Sequence, residues 1–305
     1  MAPMRTILQL TPPAPYDFAG TAYSHGWVVL APNRWDADDL TVERVHRLGA
    51  GKVVLLNIGG DGTVRKPEIR IQVTHTGRLS KKDTEEVRTQ VAHMFRVDED
   101  LGGFYSLCRR RGGSWKKVTA GLGRLLRSPS VFEDVVKVIC TTNTQWGGTK
   151  KMVEGLVEAY GDPYPGDPSR KAFPTAEAIA STHRDEFVSR VRMGYRAPFV
   201  AELSRRVASG ELALEVLKNS PLTTPELRKE LLGIKGVGGY AAANLLMLLG
   251  RYDFVPVDTW ALKVVSNEFF RGEKVTPKQV LETFAPWGKW QGLVYWFWDW
   301  FPDQA

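Results

Sequence analysis

Near residue 125 the hydrophobic period of this chain changes from that of strands to that of helices, which no single layer accommodates. Before the change, "WVVLAP" (Trp27 to Pro32), "KVVLLNI" (Lys52 to Ile58) and "EIRIQVTH" (Glu68 to His75) are short β-branched runs that predict strands. In the last of these, Ile69, Ile71 and Val73 alternate and so share one face. "GGDGTV" between the second and third predicts a hairpin turn. A helix is expected from Lys82 to Phe95, with Val87, Val91 and Met94 as its apolar stripe. "RRRGGSWKK" (Arg109 to Lys117) reads as a basic loop, either solvated or in contact with phosphate.

After the change, Phe132, Val135, Val136, Ile139 and Cys140 recur at helical spacing, with Pro129 suited to a first turn. Met152, Val153, Leu156, Val157 and Tyr160 do the same. "GDPYPGDPSRKAFP" (Gly161 to Pro174) predicts a polar loop. Thr224 before Pro225 and Glu226 predicts a helix cap, and Thr276 before Pro277 repeats that start. The expected fold is a mixed α+β domain over residues 1–125, an antiparallel sheet with a helix, followed by an all-α domain over 126–305.

A chain of 305 residues is long enough for two such domains. Lysine and arginine total 41 against 34 acids, a formal charge of +7, which favours an anionic partner such as nucleic acid. Two cysteines, Cys108 and Cys140, are too few for an iron–sulfur cluster or a four-cysteine zinc site, and Cys140 reads as a core thiol. None of the five histidines is paired at metal-ligand spacing. There is no leading hydrophobic segment, and no apolar run approaches the roughly 20 residues that cross a bilayer. The expectation is a soluble, intracellular protein with no membrane partner.

The most informative stretch is "GIKGVGGYAAANLLMLLGRYDFVPVDTW", Gly233 to Trp260. A helix ends at Gly233, and glycines at 233, 236, 238 and 239 permit left-handed backbone angles and close approach of another backbone. The next helix is expected from about Tyr240, with Gly250 as its stop. Its first amides, unshielded by side chains, make an anion site suited to a phosphodiester. The alternative is an ordinary turn between two helices. Downstream, Asp258 in apolar "VPVD" sits where a helix begins; it is an N-cap, or a carboxylate facing developing positive charge.

These paired motifs resemble the helix–hairpin–helix DNA glycosylase superfamily, whose signature is this hairpin, a Gly/Pro-rich segment and an essential aspartate. "VFEDVVKVICTTNTQWGGTKKMVEGLVEAYG", "FPTAEAIA" and "RMGYRAPFVAELSRRV" are similar to segments of its 8-oxoguanine branch. The strand-rich first third is similar in character to the N-terminal domain which that branch shares with the AlkA-type 3-methyladenine glycosylases. The resemblance implies that a damaged nucleotide is flipped out of duplex DNA and its N-glycosidic bond cleaved through an oxocarbenium-like sugar. Asp258 would stabilise that cation and orient or deprotonate the attacking water. Gly236, Gly238 and Gly239, with Lys235 in the turn, would meet a phosphate beside the lesion. The hairpin carbonyls would bind Na⁺ or K⁺; no organic cofactor is implied.

Asn143 matches an asparagine inserted into the gap left by the flipped base, or else it caps its helix. Arg196 matches an arginine that reads the orphaned base, or else it forms a surface ion pair. Tyr240 stands where strand-cutting members carry a lysine, which argues against Schiff-base chemistry; Lys235 is at the wrong offset. Trp260 stands where several branches have a histidine. In the tail "WGKWQGLVYWFWDWF" (Trp287 to Phe301), Trp290, Trp296 and Trp300 share no single helical face, so core packing is expected for most. Trp296 matches a phenylalanine that stacks on the base, and Trp146, Trp260 and Tyr240 are further candidates for the pocket wall. Tryptophans suit cationic alkylated purines through stacking and cation–π attraction.

The reading is a monomeric, monofunctional glycosylase that excises a damaged purine from double-stranded DNA, an alkylated one such as 3-methyladenine or 7-methylguanine. The alternatives are an oxidised purine as substrate, or a non-catalytic DNA-binding module.

Overall fold

The computed structural model of the protein describes residues 3–298. Among the described residues the strands run β1 (Met4–Leu10), β2 (Asn33–Asp36), β3 (Thr41–Arg47), β4 (Val53–Thr63), β5 (Lys66–His75), β6 (Pro163–Tyr164) and β7 (Asp167–Lys171). The α-helices are, in order, α1 (Phe18–Tyr23), α2 (Lys81–Met94), α3 (Gly102–Arg111), α4 (Trp115–Val118), α5 (Val131–Thr141), α6 (Trp146–Tyr160) and α7 (Ala176–Ala180). They continue with α8 (Arg184–Arg190), α9 (Ala197–Ala208), α10 (Thr224–Leu232), α11 (Gly239–Leu248), α12 (Thr259–Phe269), α13 (Pro277–Phe284) and α14 (Gln291–Phe297). The chain forms two compact units. One takes the chain up to Asp100 and again Ala120–Val216; the other takes Leu101–Thr119 and the chain from Leu217 onward. This grouping does not follow a cut at residue 125, because α5 to α9 fall with the sheet and α3 and α4 with the last helices.

In the first unit an antiparallel sheet has the order β1-β5-β4-β3-β2. Ile69, Ile71 and Val73 of β5 are buried and pair with Gly60, Ile58 and Leu56 of β4, so alternation places one face in the core. The hairpin turn falls later than the glycines suggest. Thr63 pairs with Lys66, so Val64 and Arg65 make the turn and Gly59 to Gly62 lie within the strand. "WVVLAP" is not a strand: Trp27–Val29 is a 3-10 turn that follows Gly26 at φ 84°. The indole of Trp27 donates to Asp134 of α5 at 2.8 Å. Val87, Val91 and Met94 of α2 are buried as their spacing requires.

The second half is not wholly helical, for β6 and β7 form a short hairpin within the expected Gly161–Pro174 loop. Pro129 precedes the cap of α5 rather than entering its first turn, since Ser130 Oγ accepts from the Glu133 amide. Glu133 lies at the centre of a buried ion cluster. Its carboxylate meets Arg44 at 2.6 Å and Lys137 at 2.7 Å, all three side chains being at most 2% exposed.

In the second unit, "RRRGGSWKK" is not a loop. Arg109 to Arg111 end α3, Gly112 and Gly113 take φ 74° and 56°, and α4 follows. The helix is held by its apolar face, where Phe104, Tyr105 and Cys108 are buried. Trp115 of α4 packs on Trp287, ring centroids 4.7 Å apart. Helix α10 is capped by Thr223, one residue before the predicted Thr224, in a reciprocal arrangement with Glu226. Thr224 instead donates its hydroxyl to Asp253 at 2.7 Å. Thr276 caps α13 as expected, its partner being Gln279. Among the described residues no helix is long and apolar enough to cross a membrane.

Candidate active site

The second unit builds the glycine hairpin from local forces. Ile234 and Val237, 4% and 5% exposed, bury their side chains and anchor the turn that joins α10 to α11. The Val237 amide donates to the Ile234 carbonyl at 3.0 Å, and Gly236 between them takes φ 88°. Only that glycine needs the left-handed region; Gly233 and Gly238, at φ −72° and −89°, do not. Gly238 caps α11, whose first amides have no side-chain cap. A Cβ on Gly238 would meet nothing within 4 Å, so this end of the helix is open to an approaching anion. Lys235 and Tyr240 are exposed beside it.

Asp258 is reached through a pinned segment. The amide of Gly292, in α14, donates to the Tyr252 carbonyl at 2.6 Å, and Gln291 donates to the Asp253 carbonyl at 2.8 Å. A Cβ at position 292 would lie 2.7 Å from the Phe254 carbonyl oxygen, so only glycine permits this approach. Val255 and Pro256 are buried, and the chain then enters α12 with Asp258 as its N-cap. One carboxylate oxygen accepts from the Ala261 amide at 2.8 Å; the other accepts from the Tyr295 hydroxyl at 2.7 Å. Tyr295 is buried, and its ring meets Trp260 edge to face, 4.7 Å between centroids. Burial, and then the charge of Asp258, push the Tyr295 phenol above its ordinary range, so it stays a donor.

Hence Asp258 is both cap and available carboxylate, and the two readings of it are compatible. Tyr295 is the residue that sequence reasoning missed. Its only signal was Gly292 in the aromatic tail, a glycine with no evident turn to make. Trp260 and Trp296 are half-buried, and Trp300 lies outside the described residues.

Asn143, Trp146 and Arg196 belong to the first unit, where Asn143 and Arg196 meet around Tyr195. Asn143 is exposed at φ 45°, one residue past the α5 cap Thr142, a left-handed position that asparagine tolerates. Its side chain donates to the Tyr195 hydroxyl at 3.2 Å. Arg196 is no surface ion pair. It is 7% exposed, donates to the carbonyls of Thr142 and Asn143, and lies 4.4 Å over the Tyr195 ring. Its guanidinium thus holds the Asn143 turn instead of being presented to solvent. Trp146 starts α6 and covers Gly26, where a Cβ would come within 2.8 Å of its ring.

Cys108 and Cys140 are buried free thiols, both pushed up to about 12 by burial. Among the described residues no group of three or more His, Cys, Asp or Glu could hold a metal ion.

Residues 136–289 match the model of the HhH-GPD superfamily of base excision DNA repair proteins. The fold is similar to that of the 3-methyladenine DNA glycosylase of Archaeoglobus fulgidus, with TM-score 0.73 and 18% identity, covering 95% of this chain and 96% of that one. It is also similar to the 8-oxoguanine glycosylase/lyase of Clostridium acetobutylicum in its apo form, with TM-score 0.70 and 19% identity, covering 97% of each chain. The same enzyme in complex with duplex DNA containing cytosine opposite 8-oxoguanine gives TM-score 0.67 and 19% identity, covering 96% and 97%.

Proposed function

The chain belongs to the HhH-GPD superfamily of base excision DNA repair proteins, and on that premise we propose that it is a monofunctional DNA glycosylase acting on alkylated purines. The observation that carries the chemistry is Asp258, fixed at the start of α12 by one donor on each oxygen. A carboxylate still has acceptor directions to spare in that state, so it can face a sugar cation and orient a water. The open amides at the start of α11 would hold a phosphate beside the lesion, fixing the strand while the base is turned out. Backbone carbonyls of the 233–237 turn would hold a sodium or potassium ion, being the hard oxygen donors such an ion takes. That ion would add positive charge near the phosphate. Two cysteines cannot supply the four thiolates of an iron–sulfur cluster.

Tyr240 supports water as the nucleophile, because a phenol forms no Schiff base. Lys235 lies five residues earlier, inside the turn. The tryptophans near Asp258 support an electron-poor purine, since Trp260 packs on the tyrosine that bonds the carboxylate. The protein would act as a monomer on duplex DNA carrying a lesion.

The test is a panel of duplexes carrying 3-methyladenine, 7-methylguanine or 8-oxoguanine, with released bases identified by mass spectrometry. Alkylated bases should be released, strands should break only after alkali or heat, and borohydride during turnover should trap no protein–DNA adduct. Release of 8-oxoguanine alone would reassign the substrate; a robust adduct would overturn the water mechanism. Gly238→Asp should separately weaken binding to lesion and undamaged duplex alike, by about tenfold, because its carboxylate would face the phosphate. Unchanged affinity for undamaged duplex in that variant would remove the hairpin from the interface.

A further inference from the structure

We propose that Tyr295 is a positioning residue that holds the Asp258 carboxylate in one orientation for the reaction. The inference rests on the glycosylase reading above. An N-capping aspartate needs only one oxygen for its helix, here the one that accepts from the Ala261 amide at 2.8 Å. With that bond alone the second oxygen is held by nothing but the side-chain torsions. Tyr295 occupies it, donating at 2.7 Å from α14, an element 37 residues further along the chain. A distance in that range is typical of a hydroxyl donating to an ionised oxygen.

The donor is itself immobile. Its ring is 6% exposed and meets Trp260 and Phe284 edge to face, at 4.7 and 6.1 Å between centroids. The start of its helix is fastened to the segment that leads to Asp258, through the Gly292 amide on the Tyr252 carbonyl and Gln291 on the Asp253 carbonyl. Because the phenol is held above its ordinary range, it does not lose the proton that makes the bond. Both ends of the hydrogen bond are therefore set before any substrate arrives. Electrostatic stabilisation of a cationic transition state depends on such preorganisation, because a carboxylate that must first rotate into place gives up part of its advantage.

Tyr295→Phe keeps the ring and its contacts and removes only the donor. Single-turnover base release should fall by about 10- to 100-fold, the value of one hydrogen bond to a charged group. Affinity for lesion duplex should stay at the wild-type value, while the melting temperature should fall by about a few degrees, the cost of one lost buried donor. Placing 3-fluorotyrosine at position 295 keeps a donor and should restore the rate, which a purely packing role would not require. Base release by Tyr295→Phe within about twofold of an active wild type would overturn the positioning role and leave the glycosylase reading standing. Wild-type protein that releases no base from the lesion panel would overturn both.

Discussion

Asp258→Asn is expected to abolish base release while lesion-duplex affinity and melting temperature stay close to wild type. The amide has the shape of the carboxylate, and its carbonyl can still accept from the Ala261 amide, so the cap of α12 survives. The Tyr295 hydroxyl, which now donates to the second oxygen, can instead accept from the new NH₂ group. What disappears is the negative charge that faces the sugar as positive charge develops. Removing a group of that kind costs on the order of 10²- to 10⁴-fold in rate. Free base measured under single-turnover conditions, beside fluorescence anisotropy on the same duplex, separates chemistry from binding. Excision by the Asn variant near the wild-type rate would take Asp258 out of the mechanism.

Glu133→Ala should cost about 3–5 kcal/mol of stability, read from urea melts at neutral pH. Arg44 and Lys137 share that one carboxylate in a place almost without water, and the alanine variant leaves two like charges buried together. Burial works against the Glu133 charge, but Arg44 and Lys137 overcome it and hold the carboxyl at about 2. Lys137 is pulled below the usual lysine range, chiefly by burial, which makes it the charge most in need of its partner. Because the Glu133 value is depressed below the ordinary 4.5, its contribution is present above that pH and is lost as pH falls towards 2. His25 and His46 act in the same direction. Burial lowers them from 6.5 to about 3 and about 4, so the unfolded chain takes up protons first and stability declines below about pH 6.5. The Ala variant should therefore keep the histidine part of the acid loss and lack the part between 4.5 and 2. Equal urea midpoints for wild type and variant at pH 7 would show that the cluster contributes nothing.

How far the sequence could be read depended on whether an interaction was local. Helices α5 and α6 were visible because their apolar residues recur within a few positions, and α13 because Thr276 and Pro277 mark its start. The glycine hairpin and Asp258 were visible for the same reason. Strands β1, β2 and β3 were not, since β1 gains its place only by pairing with β5, from Met4 with His75 to Leu10 with Ile69, far along the chain. Helix α3 was hidden by two glycines at one end and three arginines at the other, although Phe104, Tyr105 and Cys108 give it a buried face. Arg196 carries a charge that sequence reasoning sends to the surface; the Thr142 and Asn143 carbonyls that draw it inward are set by the end of α5, not by its own neighbours. Tyr295 could not be tied to Asp258 from spacing, because the bond depends on Gly292 allowing two backbones to touch.

The passage of the chain between its two units bears on how the protein is made. The segment Leu101–Thr119 is synthesised long before the helices it joins. Trp115 leaves the ribosome with its partner Trp287 about 170 residues behind, a wait on the order of 10–30 s at ordinary elongation rates. During that interval Trp115 and Phe104 wait for Trp287 and Trp290, while the sheet and α5 to α9 are already made. A fragment that begins at Val136, where the family match starts, would lack both this segment and the whole sheet. Elongation pauses, or a chaperone that shields exposed aromatic surface, should thus matter most for residues 101–119, a vulnerability of birth that the finished molecule no longer displays.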